Sequence, residues 1–414
     1  MLLSRLLRPL IRFGRLTVID ADDRPHVFGS EMSPAVTVRL HDRRLHWRLA
    51  LNPGLHAGEA YMDGTLTVED APLYAFIELF ARNLGHAGAI DLSGPFDLVN
   101  RAARRLQQFN PAARARRNVA HHYDLSAELY DLFLDRDRQY SCAYFTDPGE
   151  DLESAQLRKK QHIAAKLLIE PGMRVLDIGC GWGGLGLYLA QALGADVTGI
   201  TLSTEQLAVA NERAKAAGLA DKAQFHLRDY RHETGSFDRI VSVGMFEHVG
   251  INHYGEFFRT LRDRLSDDGV ALLHTIGRRA GPGSTNPWLQ KYIFPGGYSP
   301  SLSEIGSAVE RSGLWINDVE VLRLHYAETL RHWRLRFEAN RSKIAALYDE
   351  RFCRMWEFYL ATSEVSFRHL DSVVFQVQLA KRRDAVPQTR DYQFAAERHL
   401  IDAGPGNTRP RLVG

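Results

Sequence analysis

The stretch Asp177-Ile-Gly-Cys-Gly-Trp-Gly-Gly184 constrains this chain most, because it joins the β-rich run Arg174–Ile178 to the helix-compatible segment Gly184–Leu193. Closely spaced glycines between a strand and a helix make a turn at the carboxyl edge of a parallel sheet, where backbone can approach a ligand. Dinucleotide, phosphate and adenosylmethionine sites all use such turns. Three details narrow the choice. The strand ends in an acid, Asp177, two positions before Gly179, where nicotinamide and flavin sites usually carry none. The spacing of Gly179, Gly181 and Gly183 permits close ligand approach. The second strand ends in Gly199-Ile-Thr-Leu-Ser203, without an acid for a ribose, leaving Thr201 and Gln206 as neutral hydrogen-bonding groups for that role. The combination points to S-adenosylmethionine (SAM). The plainer alternative is that these glycines only shape a tight turn.

Around the turn, strands and helices alternate from about residue 155, the pattern of a parallel sheet wrapped by helices. Strands are expected at Arg174–Ile178, Asp196–Ile200, Ala223–Leu227, Phe237–Val243 and Val270–Thr275, with helices at Gly184–Leu193 and Thr204–Ala217. A further segment begins at Arg323–Tyr326, and helical stretches are expected at Thr329–Arg341, Ile344–Phe358 and about Glu364–Leu379. The last thirty-odd residues, with Pro387, Gly404, Pro405 and Pro410, read as loosely ordered. The expected fold is α/β and doubly wound, preceded by a smaller N-terminal α+β domain; it resembles the Rossmann-like class I SAM-dependent methyltransferases, and that resemblance implies a seven-stranded mixed sheet.

With 414 residues, two domains are the natural expectation. Residues 16–70 suggest a small sheet, with strands at Val36–Leu40, Arg44–Leu51 and Thr65–Val68, and Ala71–Arg82 has the spacing of a buried helix. Six arginines between Arg101 and Arg117, with no acid among them, mark a basic linker. The division expected is 1–118 for the accessory domain and linker, 119–385 for the catalytic domain and 386–414 for a tail. The linker charge suits either lipid phosphates or plain solvation.

A net charge of +2 makes no case for nucleic acid. Cys142, Cys180 and Cys353 have no metal-like spacing and fit a reducing compartment, so neither a metal site nor a disulfide framework is expected. No apolar run approaches the roughly 20 residues that span a bilayer. Arginines interrupt the apolar residues of the N-terminus and break up any signal-peptide apolar region, so a cytoplasmic location is expected. There Leu3, Leu6, Leu7, Leu10 and Ile11 share one helical face, for packing on the same domain or for lying on an anionic membrane.

His121-His-Tyr-Asp-Leu125, Gln139-Tyr-Ser-Cys-Ala-Tyr-Phe145, Val175–Gly184, Gly244-Met-Phe-Glu-His-Val249, Leu272-Leu-His-Thr-Ile276 and Lys291-Tyr-Ile-Phe-Pro-Gly-Gly297 occur in that order. Together they closely resemble the cyclopropane-fatty-acid synthases and the related mycolic acid cyclopropane synthases and methyltransferases, over about residues 119–381. The N-terminal region resembles the accessory domain of the phospholipid-acting members. The resemblance implies SAM contacts at Tyr140, Ser141, Asp177, Gly179, Gly181, Thr201 and Gln206, with Tyr230 and Arg231 on the adenine side. It implies a bicarbonate site at Cys142, Glu247, His274, Ile276 and Tyr326, the last carried by His325-Tyr-Ala-Glu-Thr-Leu330.

These residue types suit the implied chemistry. Methylating an alkene leaves a carbocation, and closing a three-membered ring then requires loss of a proton from the new methyl group. A bare carboxylate beside sulfonium and cation could itself be alkylated, whereas a small anion held by hydrogen bonds can take the proton. His274, Tyr326 and the backbone N–H groups of Cys142 and Ile276 are the expected donors. Taken alone, His274 reads as a satisfied core histidine and Tyr326 as packing; Tyr292, Phe294 and Tyr298 suit an acyl tunnel or lid. The implied substrate is a membrane phospholipid with an unsaturated acyl chain, met peripherally at the inner membrane face, with a homodimer allowed. Alternatives are methylene- or methyl-branched products, a soluble small-molecule substrate, or a cofactor-binding protein without catalysis.

Overall fold

The structure, a computed structural model, describes residues 2–30, 34–86 and 125–403. The arginine-rich linker, the boundary near residue 118 and the motif residues His121–Asp124 lie outside them. By packing, the chain divides into two compact units that do not follow sequence order. One comprises Met1–Arg104, Ser284–Pro295 and Ala327–Ser372; the other comprises Arg105–Gly283, Gly296–Tyr326 and Val373–Gly414.

In the first unit, β1 (Arg15–Ile19), β2 (Pro25–Gly29), β3 (Ala35–Leu40) and β4 (Leu66–Val68) form a sheet of order β2-β1-β3-β4. β1 and β3 are parallel, and the two outer pairings are antiparallel. The N-terminal helix Leu2–Leu10 buries Leu3, Leu7 and Leu10 against this sheet, in one core with Leu16, Val38, Leu79 and Ala361. Its apolar face is therefore used in packing.

Residues 45–51 form a helix, where a strand was expected. Leu45, Trp47, Leu49 and Leu51 alternate as in a strand, yet Leu45 and Leu49 also stand four apart. The fold buries that pair and leaves Trp47 and Leu51 exposed.

The second unit carries the seven-stranded sheet in the order β10-β11-β9-β8-β5-β6-β7. Its strands are β5 (Arg174–Ile178), β6 (Asp196–Thr201), β7 (Ala223–Leu227), β8 (Phe237–Val243), β9 (Leu265–Arg278), β10 (Trp315–Val321) and β11 (Ser372–Ala380). β5 to β8 pair in parallel, as do β8 and β9, while β10 runs antiparallel to β11, so the sheet is mixed. The class I methyltransferase architecture expected from the sequence is present.

Two expectations need correction here and a third is sharpened. The helix expected to about Leu379 ends at His369, and Ser372–Ala380 is strand β11, a β-branched and apolar stretch interrupted by Gln376 and Gln378 and buried within the sheet. The segment expected to begin at Arg323–Tyr326 leads into a helix that starts at His325, and the edge strand of the sheet is the earlier Trp315–Val321. The C-terminal residues 391–403 form a helix that sends Leu400 into the core beside Ile163 and Leu167.

Candidate active site

The carboxyl ends of β5, β6 and β8 open into a cavity, and all nine residues expected at the cofactor line it: Tyr140, Ser141, Asp177, Gly179, Gly181, Thr201, Gln206, Tyr230 and Arg231. The turn is tied to the neighbouring strand, because Gly179 N and Cys180 N both donate to Ile200 O at 2.9 and 3.0 Å. Gly179 has φ +83°, and a Cβ there would sit 2.8 Å from Met245 Cβ. At Gly181, φ +53°, a Cβ would meet nothing within 4 Å, so the missing side chain leaves room at the cavity wall.

The opposite wall is equally ordered. Thr201 Oγ1 donates to Gln206 Oε1 at 3.2 Å, and the Ser203 hydroxyl caps the following helix by accepting from Gln206 N. Arg231 forks onto Asp229 through Nε and Nη2 at 2.8 and 2.7 Å. Asp229 is buried, but the Arg231 hydrogen bonds outweigh desolvation and hold its carboxyl below the ordinary range.

Sequence reasoning missed the groups beneath Tyr140 and Ser141. The helix Leu152–Leu167 is polar along much of its length, yet Gln156, Lys159, Gln161, His162 and Lys166 are all buried. Gln156 Nε2 donates to the carbonyls of Gln139 and Ser141 at 3.2 and 3.0 Å. Lys159 Nζ donates to Ser141 Oγ at 2.9 Å and also to Gln139 Oε1. Burial lowers the Lys159 ammonium to about 8 and raises the Asp177 carboxyl to about 7, the nearby lysine only partly offsetting the latter. Asp177 Oδ2 is buried without a hydrogen-bond partner. Nothing in the pattern of that helix marks these side chains as interior, since polar residues are normally exposed.

Of the residues expected at the anion site, Glu247, His274 and Ile276 lie on segments that the sheet brings together. Glu247 follows β8 in the 3-10 turn Phe246–His248, while His274 and Ile276 lie two apart on β9. The register pairs Val243 with His274, and Gly244 N donates to His274 O at 2.9 Å. The Ile276 N–H, expected to serve a bound anion, donates instead to Glu247 Oε1. Glu247 Oε2 is buried with no partner. Burial raises this carboxyl to about 7 against the weaker opposing effect of backbone donors and the Thr275 hydroxyl. His274 is held well below the ordinary histidine range by burial, with nearby cations adding to the effect.

Cys142 is buried, and its Sγ donates to Ala143 O at 3.3 Å. Tyr144 stacks between His162 and His325, with centroids 4.1 and 4.7 Å away, and Phe145 N donates to His325 Nδ1 at 3.0 Å. These contacts bring the Cys142–Phe145 segment to the start of the helix that carries Tyr326, itself buried.

The aromatic residues near Pro295 take separate places. Tyr292 OH donates to Glu59 and Phe294 packs on Tyr359 in the first unit. In the second unit Tyr298 OH donates to Glu304, and its backbone N–H donates to Glu247 O. Cys353 is core, as expected. No group of side chains that could hold a metal occurs among the described residues, and no described helix is long and apolar enough to cross a membrane.

Comparison with known proteins gives a consistent result. The family described as "Mycolic acid cyclopropane synthetase" matches residues 111–377. A probable fatty acid methyltransferase of Pseudomonas putida is 40% identical over 288 residues, 67% of this chain and 73% of that protein. The cyclopropane-fatty-acyl-phospholipid synthase of Escherichia coli K12 is 38% identical over 350 residues, covering 84% of this chain and 89% of that protein. Among solved structures, the mycolic acid cyclopropane synthase CmaA1 complexed with SAH and CTAB superimposes with a TM-score of 0.61 at 32% identity. That match covers 66% of this chain and 99% of the other.

Proposed function

We propose, from the premise that the chain belongs to the mycolic acid cyclopropane synthetase family and is a SAM-dependent methyltransferase, that it cyclopropanates the cis double bond of an unsaturated phospholipid acyl chain. The observation that carries the reading is the isolation of Glu247: a buried carboxyl near neutrality, one oxygen on a backbone N–H and the other unpartnered, following the strand end that lines the cofactor cavity. A methyltransferase acting on a heteroatom has less need of such a group beyond its cofactor cavity, whereas ring closure on carbon must dispose of a methyl proton.

Asp177 and Lys159 give one end of the cavity opposite charges suited to the zwitterionic amino-acid moiety of SAM. Thr201 and Gln206 suit the ribose, and Tyr230 with Arg231 the adenine side. When bound, bicarbonate supplies a proton acceptor that an adjacent sulfonium does not readily alkylate. The residues fit it on one count: orphaned Glu247 Oε2 can accept its O–H. Glu247, His274, Tyr326 and the backbone N–H of Cys142 would hold it, and the Ile276 N–H could join them only by leaving Glu247. Burial of these groups excludes water that would otherwise capture a carbocation.

The chain would meet its substrate peripherally, at the inner face of the membrane. The test is incubation of the full chain with SAM and liposomes of cis-unsaturated phospholipid, followed by proton NMR of the extracted lipid. Upfield cyclopropyl signals are expected. Olefinic methylene signals would favour the second reading, a methylene-branched product; the Pseudomonas putida relative is named only as a probable fatty acid methyltransferase, which fits either product. An unmodified lipid would remove both.

A further inference from the structure

A neutral imidazole can donate at only one nitrogen, so the tautomer of His274 decides what it can offer an anion. That tautomer is set from outside the cavity. Lys166 Nζ lies 2.7 Å from Gln376 Oε1. An ammonium donates and never accepts, so the end of the Gln376 amide that faces it must be oxygen. The other end is then NH2, which only donates, and it lies 3.1 Å from His274 Nδ1. An Nδ1 that accepts carries no proton, which places the single proton on Nε2.

Lys166 is itself held by Glu320, which also binds His162 Nε2 at 2.7 Å. Lys166, Gln376 and His274 are each no more than 2% exposed, so water does not compete for these bonds. Gln376 lies on β11 and His274 on β9, neighbours in the sheet. Their contact is therefore fixed by strand pairing and not by a mobile loop.

We infer that Gln376, oriented by Lys166, is a positioning residue that holds His274 as the Nε2–H tautomer and so gives the site a hydrogen-bond donor at that nitrogen. This rests on the proposed anion site for the donor's purpose, though not for the tautomer itself. A glutamine that merely satisfied a buried histidine could as well have accepted from Nδ1–H. The lysine removes that freedom.

The test is two-bond 1H–15N NMR of the full chain labelled with 15N-histidine and loaded with S-adenosylhomocysteine, the His274 pair being assigned by its loss in His274→Asn. The expected wild-type pattern has a protonated Nε2 and an unprotonated Nδ1. Gln376→Glu places an acceptor against Nδ1 and should reverse the pattern or yield the imidazolium. Gln376→Met offers no donor and should give mixed tautomers, with turnover lowered about tenfold to a hundredfold, the range for loss of a partner that orients a histidine. Cofactor affinity should stay within about twofold, since Gln376 is no part of the cavity wall. A wild-type Nδ1–H pattern would overturn the inference even if neither variant folds. So would a Gln376→Met protein that keeps pure Nε2–H and full turnover. The expected spectra together with no modification of lipid would support the tautomer assignment and count against the proposed function.

Discussion

Two glutamates, one in each unit, have almost the same low surface exposure and behave in opposite ways. Glu59 is 7% exposed and Glu247 is 8% exposed. Glu59 is held at about 2: desolvation pushes it upward, but hydrogen bonds from Lys291, His56 and Tyr292 outweigh that. Arg48 adds a further contact at 3.0 Å. Glu247 receives the Ile276 N–H and no cation, so desolvation prevails and the carboxyl rises to about 7. Low surface exposure alone therefore does not mark a functional carboxylate. What separates the two is that the Glu247 carboxyl lies deeper and the fold supplies a countercharge only to Glu59. A carboxyl left short of partners costs stability and is kept where chemistry needs it.

The largest expected effect falls on Glu247. Glu247→Gln should lower turnover at least about a hundredfold, the usual scale for a group that serves proton transfer. The Kd for SAM should change little and thermal stability should not fall. Equal loss of SAM affinity and rate, measured by titration calorimetry and lipid labelling, would place Glu247 in the cofactor site and collapse the contrast.

Glu59→Ala should do the reverse, costing about 1–3 kcal/mol in denaturant unfolding by stranding its partners while sparing turnover per folded molecule. A large kcat defect with unchanged stability would make Glu59 functional as well.

A smaller effect concerns Asp177. Its carboxyl sits near 7 without ligand, and pairing with the SAM ammonium would favour its ionised form. Affinity for SAM should therefore rise as pH increases from 6 to 7 and level off above, by at most about tenfold per pH unit. Calorimetry across this range should show the dependence flattened in Asp177→Asn. An unchanged slope in that variant would assign it to another group.

The smallest effect is on stability against pH. Glu59 has a lowered folded value, so its contribution is present above its ordinary value of 4.5 and is lost as pH falls toward about 2. Glu247 has a raised value, so its contribution is present below 4.5 and is lost as pH rises through about 7. Melting curves of Glu59→Gln and Glu247→Gln should each flatten one of these windows. If both variants altered the same window, the opposite assignments would fail.

The sequence by itself determined the glycine turn, strands β5 to β8 and the place of Thr201 and Gln206 at the cavity wall, while Tyr140, Ser141, Tyr230 and Arg231 were legible only through the family motifs. The reason is local: the turn is a short motif at a strand end, and short β-rich runs between turn residues read as strands. Glu247, His274 and Tyr326 were legible through family motifs and not through their own patterns, which suit ordinary packing. Tertiary structure decided the rest. It chose helix over strand for Leu45–Leu51 by selecting which apolar pair to bury, and strand over helix for Ser372–Ala380 by placing it inside the sheet. It turned the polar helix Leu152–Leu167 inward, and set Gln376 between Lys166 and His274. A residue's charge state and tautomer depend on partners distant in the chain: Lys166 and Gln376 are 210 residues apart. No local pattern records that meeting, because the sheet creates it.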